Sequence, residues 1–203
     1  MKDFNLIIKE FSVHCYEWGK NNKPILVCLH GLGNSGASFL EFAEYLEDHY
    51  HILSFDNPGH GRTSPFVNED DYLFSNLAHW YDNIFKQVLK EPFYLLGHSW
   101  GADIALHYAK RYPEKIKGVI LLDGGYTFPD FQEDMTFSKV YVFHATLPKD
   151  LIYARIAGIT ELKQNIKDVT IVSMEETNHM VHWDSPQKKA NEIHNWVTKQ
   201  LLN

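Results

Sequence analysis

Apolar residues recur along this chain in two rhythms. Alternating apolar and polar positions over 6–11 and 13–18 predict an opening pair of partly exposed strands, with a turn over 19–24. Short continuous runs rich in Val, Ile and Leu follow at 25–29, 51–55, 93–96, 119–122, 140–143 and 169–172. Such runs predict strands covered on both faces, as in a parallel sheet. Between them the apolar spacing changes to three and four. Phe39, Phe42, Ala43 and Leu46 make one helical face, and Leu73, Leu77, Trp80, Ile84 and Val88 a longer one. Ala102, Ala105, Leu106 and Ala109 repeat at helical spacing after the 93–96 run, and 151–166 carries a weaker helical pattern. A last helix begins near Pro186, a suitable first-turn proline behind Ser185, and turns Ala190, Ile193, Val197 and Leu201 inward. The pattern as a whole predicts a mostly parallel α/β sheet with an antiparallel edge.

Composition narrows the partners. The 203 residues, 44% hydrophobic and 22% charged, suffice for one substantial core, so a single domain over 1–203 is expected. A formal charge of -7 without a lysine or arginine cluster argues against nucleic acid and anionic membrane as partners and favours a small neutral or organic substrate. No apolar run approaches the ~20 residues of a bilayer-spanning helix, and no basic segment precedes an apolar stretch; a cytoplasmic protein is expected. Cys15 and Cys28 lie inside predicted strands without CxxC spacing and read as buried thiols.

The chemistry concentrates in loops that follow strands, where open α/β sheets build their sites. In Gly97-His98-Ser99-Trp100-Gly101 a serine sits between two glycines, after an apolar run and before a helical pattern. Strand, tight turn and helix form the context in which G-x-S-x-G lifts a hydroxyl into attacking position. A serine hydroxyl is a weak nucleophile and needs a base within hydrogen-bond reach.

The chain closely resembles the α/β-hydrolase superfamily, in order, from the opening strands to the final helix. His30-Gly31-Leu32-Gly33 resembles the family's oxyanion loop, Asp56-Asn57-Pro58-Gly59-His60-Gly61-Arg62-Thr63-Ser64 its DxxGxGxS turn, and residues 97–101 its nucleophile elbow. Leu121-Leu122-Asp123 matches the strand after the elbow helix. Asn178-His179, ahead of Trp183-Asp184-Ser185-Pro186, resembles the catalytic-histidine loop. The resemblance implies an α/β-hydrolase fold of about eight strands with helices on both faces, and a serine hydrolase of carboxylic esters that needs no cofactor or metal. Ser99 would be the nucleophile and His179 the base. His182, three residues on, is assigned a surface role or a hydrogen bond to the loop; a metal site at His179, His182 and Asp184 lacks a standard zinc pattern. The orienting acid is expected at Asp150, after the 140–143 strand, although the usual glycine-containing lead-in is missing; Asp123 is the alternative. Backbone N–H groups of Leu32 and Trp100 would form the oxyanion hole.

Members of this sequence type usually carry a helical cap between the strand ending at Asp123 and the one beginning at Val140. Here only residues 124–139 fill that gap, too few for a cap domain. The link holds Tyr126, Phe128, Phe131, Met135 and Phe137, which reads as a short amphipathic flap over the site or as the junction left where a cap has been lost; exposed aromatics there would promote self-association. With Gly31, Tyr126 and Phe128 as pocket candidates, the expected site is open, shallow and suited to small acyl esters. A non-catalytic ligand-binding or scaffold protein with the same fold is the alternative.

Overall fold

In the computed structural model, which describes residues 1–20, 22–126 and 139–201, the strands are β1 (Lys2–Ile8), β2 (Phe11–Trp18), β3 (Ile25–Leu29), β4 (His51–Phe55), β5 (Phe93–His98), β6 (Ile116–Leu122), β7 (Val140–Ala145) and β8 (Val169–Met174). They form one sheet in the order β1-β2-β4-β3-β5-β6-β7-β8. β1 pairs antiparallel with β2, and β2 antiparallel with β4. Every other pairing is parallel. The antiparallel edge is thus the predicted one, but its turn sits at Lys9 and Glu10, with Lys9 at φ 57°, earlier than the alternation placed it.

The helices are α1 (Leu40–Glu44), α2 (Phe74–Val88), α3 (Trp100–Arg111), α4 (Ile152–Asn165), α5 (Val181–Asp184) and α6 (Pro186–Leu201). Because successive strand side chains point to opposite faces, each parallel strand feeds two core layers. In β5, Phe93 and Leu95 join the layer under α2, α3 and α4, while Tyr94 and Leu96 join the layer under α1 and α6. This double burial is why the strands read as unbroken apolar runs.

One helix departs from its expected face, and another shows why its period is weak. α2 begins one residue after Leu73, which is exposed, and turns Leu77, Ala78, Tyr81, Ile84 and Phe85 inward, with Trp80 and Val88 only partly buried. α4 buries Arg155, Gly158, Ile159 and Leu162 and exposes Tyr153 and Ile156. An arginine inside and a tyrosine outside blur its apolar period, which explains the weak signal in the sequence.

Strand order reverses at β3, which lies between β4 and β5. Ligand sites of open α/β sheets form at such a switch point, outside the carboxyl ends of the strands. The loops after β3 and β5 leave the sheet side by side there, carrying Gly31 and Ser99. Residues 124–139 join the neighbouring parallel strands β6 and β7. Phe128, Phe131, Met135 and Phe137, and with them the expected flap and self-association surface, lie outside the described residues. Among the described residues, no helix is long and apolar enough to cross a membrane.

Candidate active site

Ser99 stands at the junction of β5 and α3 with φ 52° and ψ -120°, a left-handed conformation that costs a non-glycine residue of order 1–3 kcal/mol. The junction is this tight because the glycines permit it. A Cβ on Gly97 would lie 2.2 Å from the Gly101 carbonyl oxygen, and one on Gly101 2.2 Å from that of Leu29. α3 therefore starts directly against the end of β3. The Ser99 carbonyl accepts the first helical bonds, from the N–H groups of Ala102 (2.8 Å) and Asp103 (3.3 Å). With its backbone committed, the serine side chain faces a cavity of about 210 Å³ that is also lined by Asp103, Asp123, Gly124, Tyr126, Leu151, Ala154, Arg155 and His179.

The carboxylate beside His179 is Asp123. Its Oδ2 accepts a 2.7 Å hydrogen bond from His179 Nδ1. Asp150, the expected partner, is exposed in a 3-10 turn ahead of α4 and does not line the cavity. The reason is geometric: Asp123 leaves β6 with φ 42°, while its N–H donates to Phe143 O at 2.8 Å, so its side chain is held at the strand end and buried. Arg155 of α4 closes the arrangement, with Nε donating to Oδ1 and Nη2 to Oδ2, each at 2.8 Å. The Ala145 N–H adds a 3.0 Å bond to Oδ1 and the Tyr126 hydroxyl one of 3.3 Å. Burial by itself would raise the Asp123 pKa; the bonds from His179, Arg155 and Ala145 outweigh it and hold the group at about 2. An ionised Asp123 can only accept, so Nδ1 of neutral His179 carries the proton and Nε2 is left as an acceptor. The His179 side chain is 46% exposed, which leaves that acceptor accessible.

Neighbouring histidines support the loops. His98 Nε2 donates to the His179 carbonyl at 2.8 Å, and burial lowers its pKa to about 4, so it stays neutral at physiological pH. His182 is fully buried, contrary to the surface role expected for it. It stacks on Phe39 and meets the His98 ring edge, both at 4.7 Å between centroids, and burial holds it well below the usual histidine range. His30 accepts the Asn57 N–H at Nε2 (2.9 Å), which leaves Nδ1 to donate to the Gly31 carbonyl (2.7 Å). Asp56 receives N–H bonds from Gly36 (2.7 Å) and Arg62 (2.8 Å), tying the DxxGxGxS turn to the segment after the 30–33 loop.

Of the pocket candidates, Tyr126 lines the cavity, and Gly31 abuts the serine: a Cβ there would lie 3.0 Å from Ser99 Cβ. Phe128 lies outside the described residues. Leu32 is 65% exposed in its loop, and Trp100 opens α3 beside Ser99. Arg155 escaped the sequence reading. A lone arginine in a weakly periodic helix looks like a solvated residue, and only its unusual inward register marks it. Among the described residues, no group of three or more His, Cys, Asp or Glu side chains could hold a metal ion.

Comparison with known proteins agrees with this fold. Residues 24–152 match the family model of the alpha/beta hydrolase fold. The chain is 31% identical over 118 residues to protein phosphatase methylesterase 1 of Debaryomyces hansenii, covering 51% of this chain and 30% of that protein. It is 29% identical over 115 residues to (E)-2-((N-methylformamido)methylene)succinate hydrolase of Acinetobacter baylyi, covering 57% and 42%. The chain thus spans less than half the length of these curated relatives. The crystal structure of naproxen esterase from Bacillus subtilis superimposes with a TM-score of 0.85 at 12% identity, covering 97% of this chain and 91% of that one. The match over residues 24–152 runs from β3 through the elbow to the start of α4, and by it the chain belongs to the alpha/beta hydrolase fold family.

Proposed function

We propose that the protein is a serine hydrolase that cleaves carboxylic esters of small acyl groups, thioesters and lactones included, through an acyl-enzyme. The observation that carries this reading is one cavity lined by a serine on a strained turn and by a histidine whose far nitrogen is anchored to a buried carboxylate. Ser99 Oγ attacks the ester carbonyl while His179 Nε2 takes its proton. Asp123 keeps His179 in the productive tautomer and stabilises the imidazolium without taking the proton. The N–H groups of Leu32 and Trp100 receive the tetrahedral oxyanion, aided by the positive end of α3. His179 then protonates the leaving alcohol. Water, deprotonated by the same nitrogen, attacks the acyl-enzyme, releases the acid and restores Ser99.

Cavity size supports a small acyl group. About 210 Å³ is below the ~300 Å³ at which drug-sized ligand pockets begin, and Tyr126, Leu151 and Ala154 give it apolar surface. The methylesterase and hydrolase names of the matched relatives agree with ester cleavage. The test is intact mass after incubation with a fluorophosphonate. A single adduct on the natural chain that vanishes in Ser99→Ala is expected, together with turnover of acetyl to butyryl p-nitrophenyl esters. No adduct at neutral pH would favour a ligand-binding protein of the same fold, and a steep preference for long-chain esters would overturn the small-acyl assignment.

A further inference from the structure

Among the described residues, Arg155 is the cation that directly contacts Asp123, and it is almost completely buried. Three of its five N–H groups have partners: Nε and Nη2 donate to the two carboxylate oxygens, and Nη1 to the Pro148 carbonyl at 3.2 Å. The guanidinium touches the cavity, but its planar fork is turned to Asp123. Its location is also informative. The segment after β7 was expected to supply the acid, at Asp150; it supplies a cation instead, and the acid comes from β6.

We propose that Arg155 is a positioning residue: its planar fork clamps both oxygens of Asp123, aims Oδ2 at His179 Nδ1 and balances the acid's charge. The proposal rests on the serine-hydrolase reading for its kinetic consequences, although the clamp can be examined without substrate. Oδ1 is saturated by Arg155, Ala145 and Tyr126, so the carboxylate cannot rotate without breaking several bonds at once. Charge balance has a second effect. A bare buried carboxylate would strongly favour imidazolium; one already paired with a guanidinium favours it less. The guanidinium thereby fixes the carboxylate and offsets part of its charge.

The other polar groups around this pair come from several elements. His98 of β5 meets the His179 ring at 4.8 Å between centroids, and His182 of α5 lies behind His98. Burial disfavours the charged form of both. Lys189 of α6 is buried near His182, with its pKa lowered by burial. Asp103 of α3 and Tyr126 line the cavity. In this set the clamp is the contact that removal of one side chain would erase while leaving Asp123 and His179 in place.

The experiment compares Arg155→Met and Arg155→Lys with the natural chain in three readouts: steady-state ester kinetics, the pH profile of kcat/KM, and NMR titration of the His179 imidazole. Thermal melts check folding. For Arg155→Met, kcat should fall about 10- to 100-fold with KM little changed. The acid limb and the imidazole midpoint should both rise, because Asp123 is left uncompensated. Arg155→Lys retains the charge but not the fork. Its limb and midpoint should stay put while kcat falls. Wild-type kcat and midpoint in Arg155→Met, or a midpoint that moves down, would overturn the proposal. Should that variant not fold, the lysine variant decides: wild-type kcat there removes the clamp, and a moved midpoint removes the charge balance. Loss of Ser99 labelling in the natural chain would count against the hydrolase reading, and the imidazole titration would still report on the clamp.

Discussion

Among the described residues, two fully buried carboxylates each pair with a lysine or arginine, yet only one belongs to the candidate site. Asp82 on α2 pairs with Lys115, with Lys86 at 2.6 Å and with the Tyr108 hydroxyl at 3.2 Å. Asp123 pairs with Arg155 and His179. Burial pushes each acid's pKa up, and the hydrogen bonds from its partners more than reverse it. What separates them is where the second partner leads. The Lys86 ammonium ends in solvent, with 59% of its side chain exposed, and acts on nothing further. His179 has a second nitrogen, on a cavity it shares with Ser99. A buried ion pair with a shifted pKa therefore marks a stable acid; a titratable group that continues it into a cavity marks chemistry.

The sharpest way to break this comparison is to neutralise each acid. Asp123→Asn should cost on the order of 10⁴-fold in kcat for ester hydrolysis, because the amide favours the wrong histidine tautomer. Asp82→Asn should leave kcat per folded molecule unchanged. Equal losses would show that burial alone matters. Stability should respond differently. Asp82→Asn strips a buried anion from two ammonium groups and should lower stability by ~2 kcal/mol, read as a melting temperature several degrees lower; the exposed stem of Lys86 limits the loss by letting its head rehydrate.

Acid should reveal the Asp123 interactions directly. Its folded pKa of about 2 lies below the unfolded value of 3.8, so the group stabilises the fold above the unfolded pKa. That contribution, ~2 kcal/mol at neutral pH, should be lost as pH falls from about 4 through about 2. Denaturant melts across that window should steepen for the natural chain and flatten for Asp123→Asn; parallel curves would contradict the assignment. The smallest effect is expected at Asp150→Asn, where an exposed turn residue should change kcat by less than about threefold. A large loss there would return the acid to the loop after β7.

The main strands, Ser99 and His179 were legible because each leaves a local signature. Doubly covered strands produce apolar runs, and the glycines of residues 97–101 are demanded because a Cβ on either would lie 2.2 Å from a backbone carbonyl oxygen. The position of His179 after β8 followed from chain order. The acid was not legible. Asp123 and Asp150 both follow strands of the same sheet, and spacing treats them alike. Choosing between them needed the left-handed backbone at Asp123, the bond from its N–H to β7 and the inward turn of Arg155, three features from three elements. His182 was misplaced for a related reason: whether a loop histidine is buried depends on what packs over it, here Phe39 from a segment more than a hundred residues away.

By itself, then, the amino-acid order determined the two-faced sheet, the elbow with its serine and the histidine that can serve it, since periodicity, turn chemistry and motif order act over short stretches of chain. Tertiary structure alone decided which carboxylate meets His179 and which cation holds that carboxylate still. Those choices turn on the directions of side chains brought together from β6, α4 and the loop after β8, and hydrogen bonds of 2.7–2.8 Å discriminate between directions that spacing along the chain leaves equivalent.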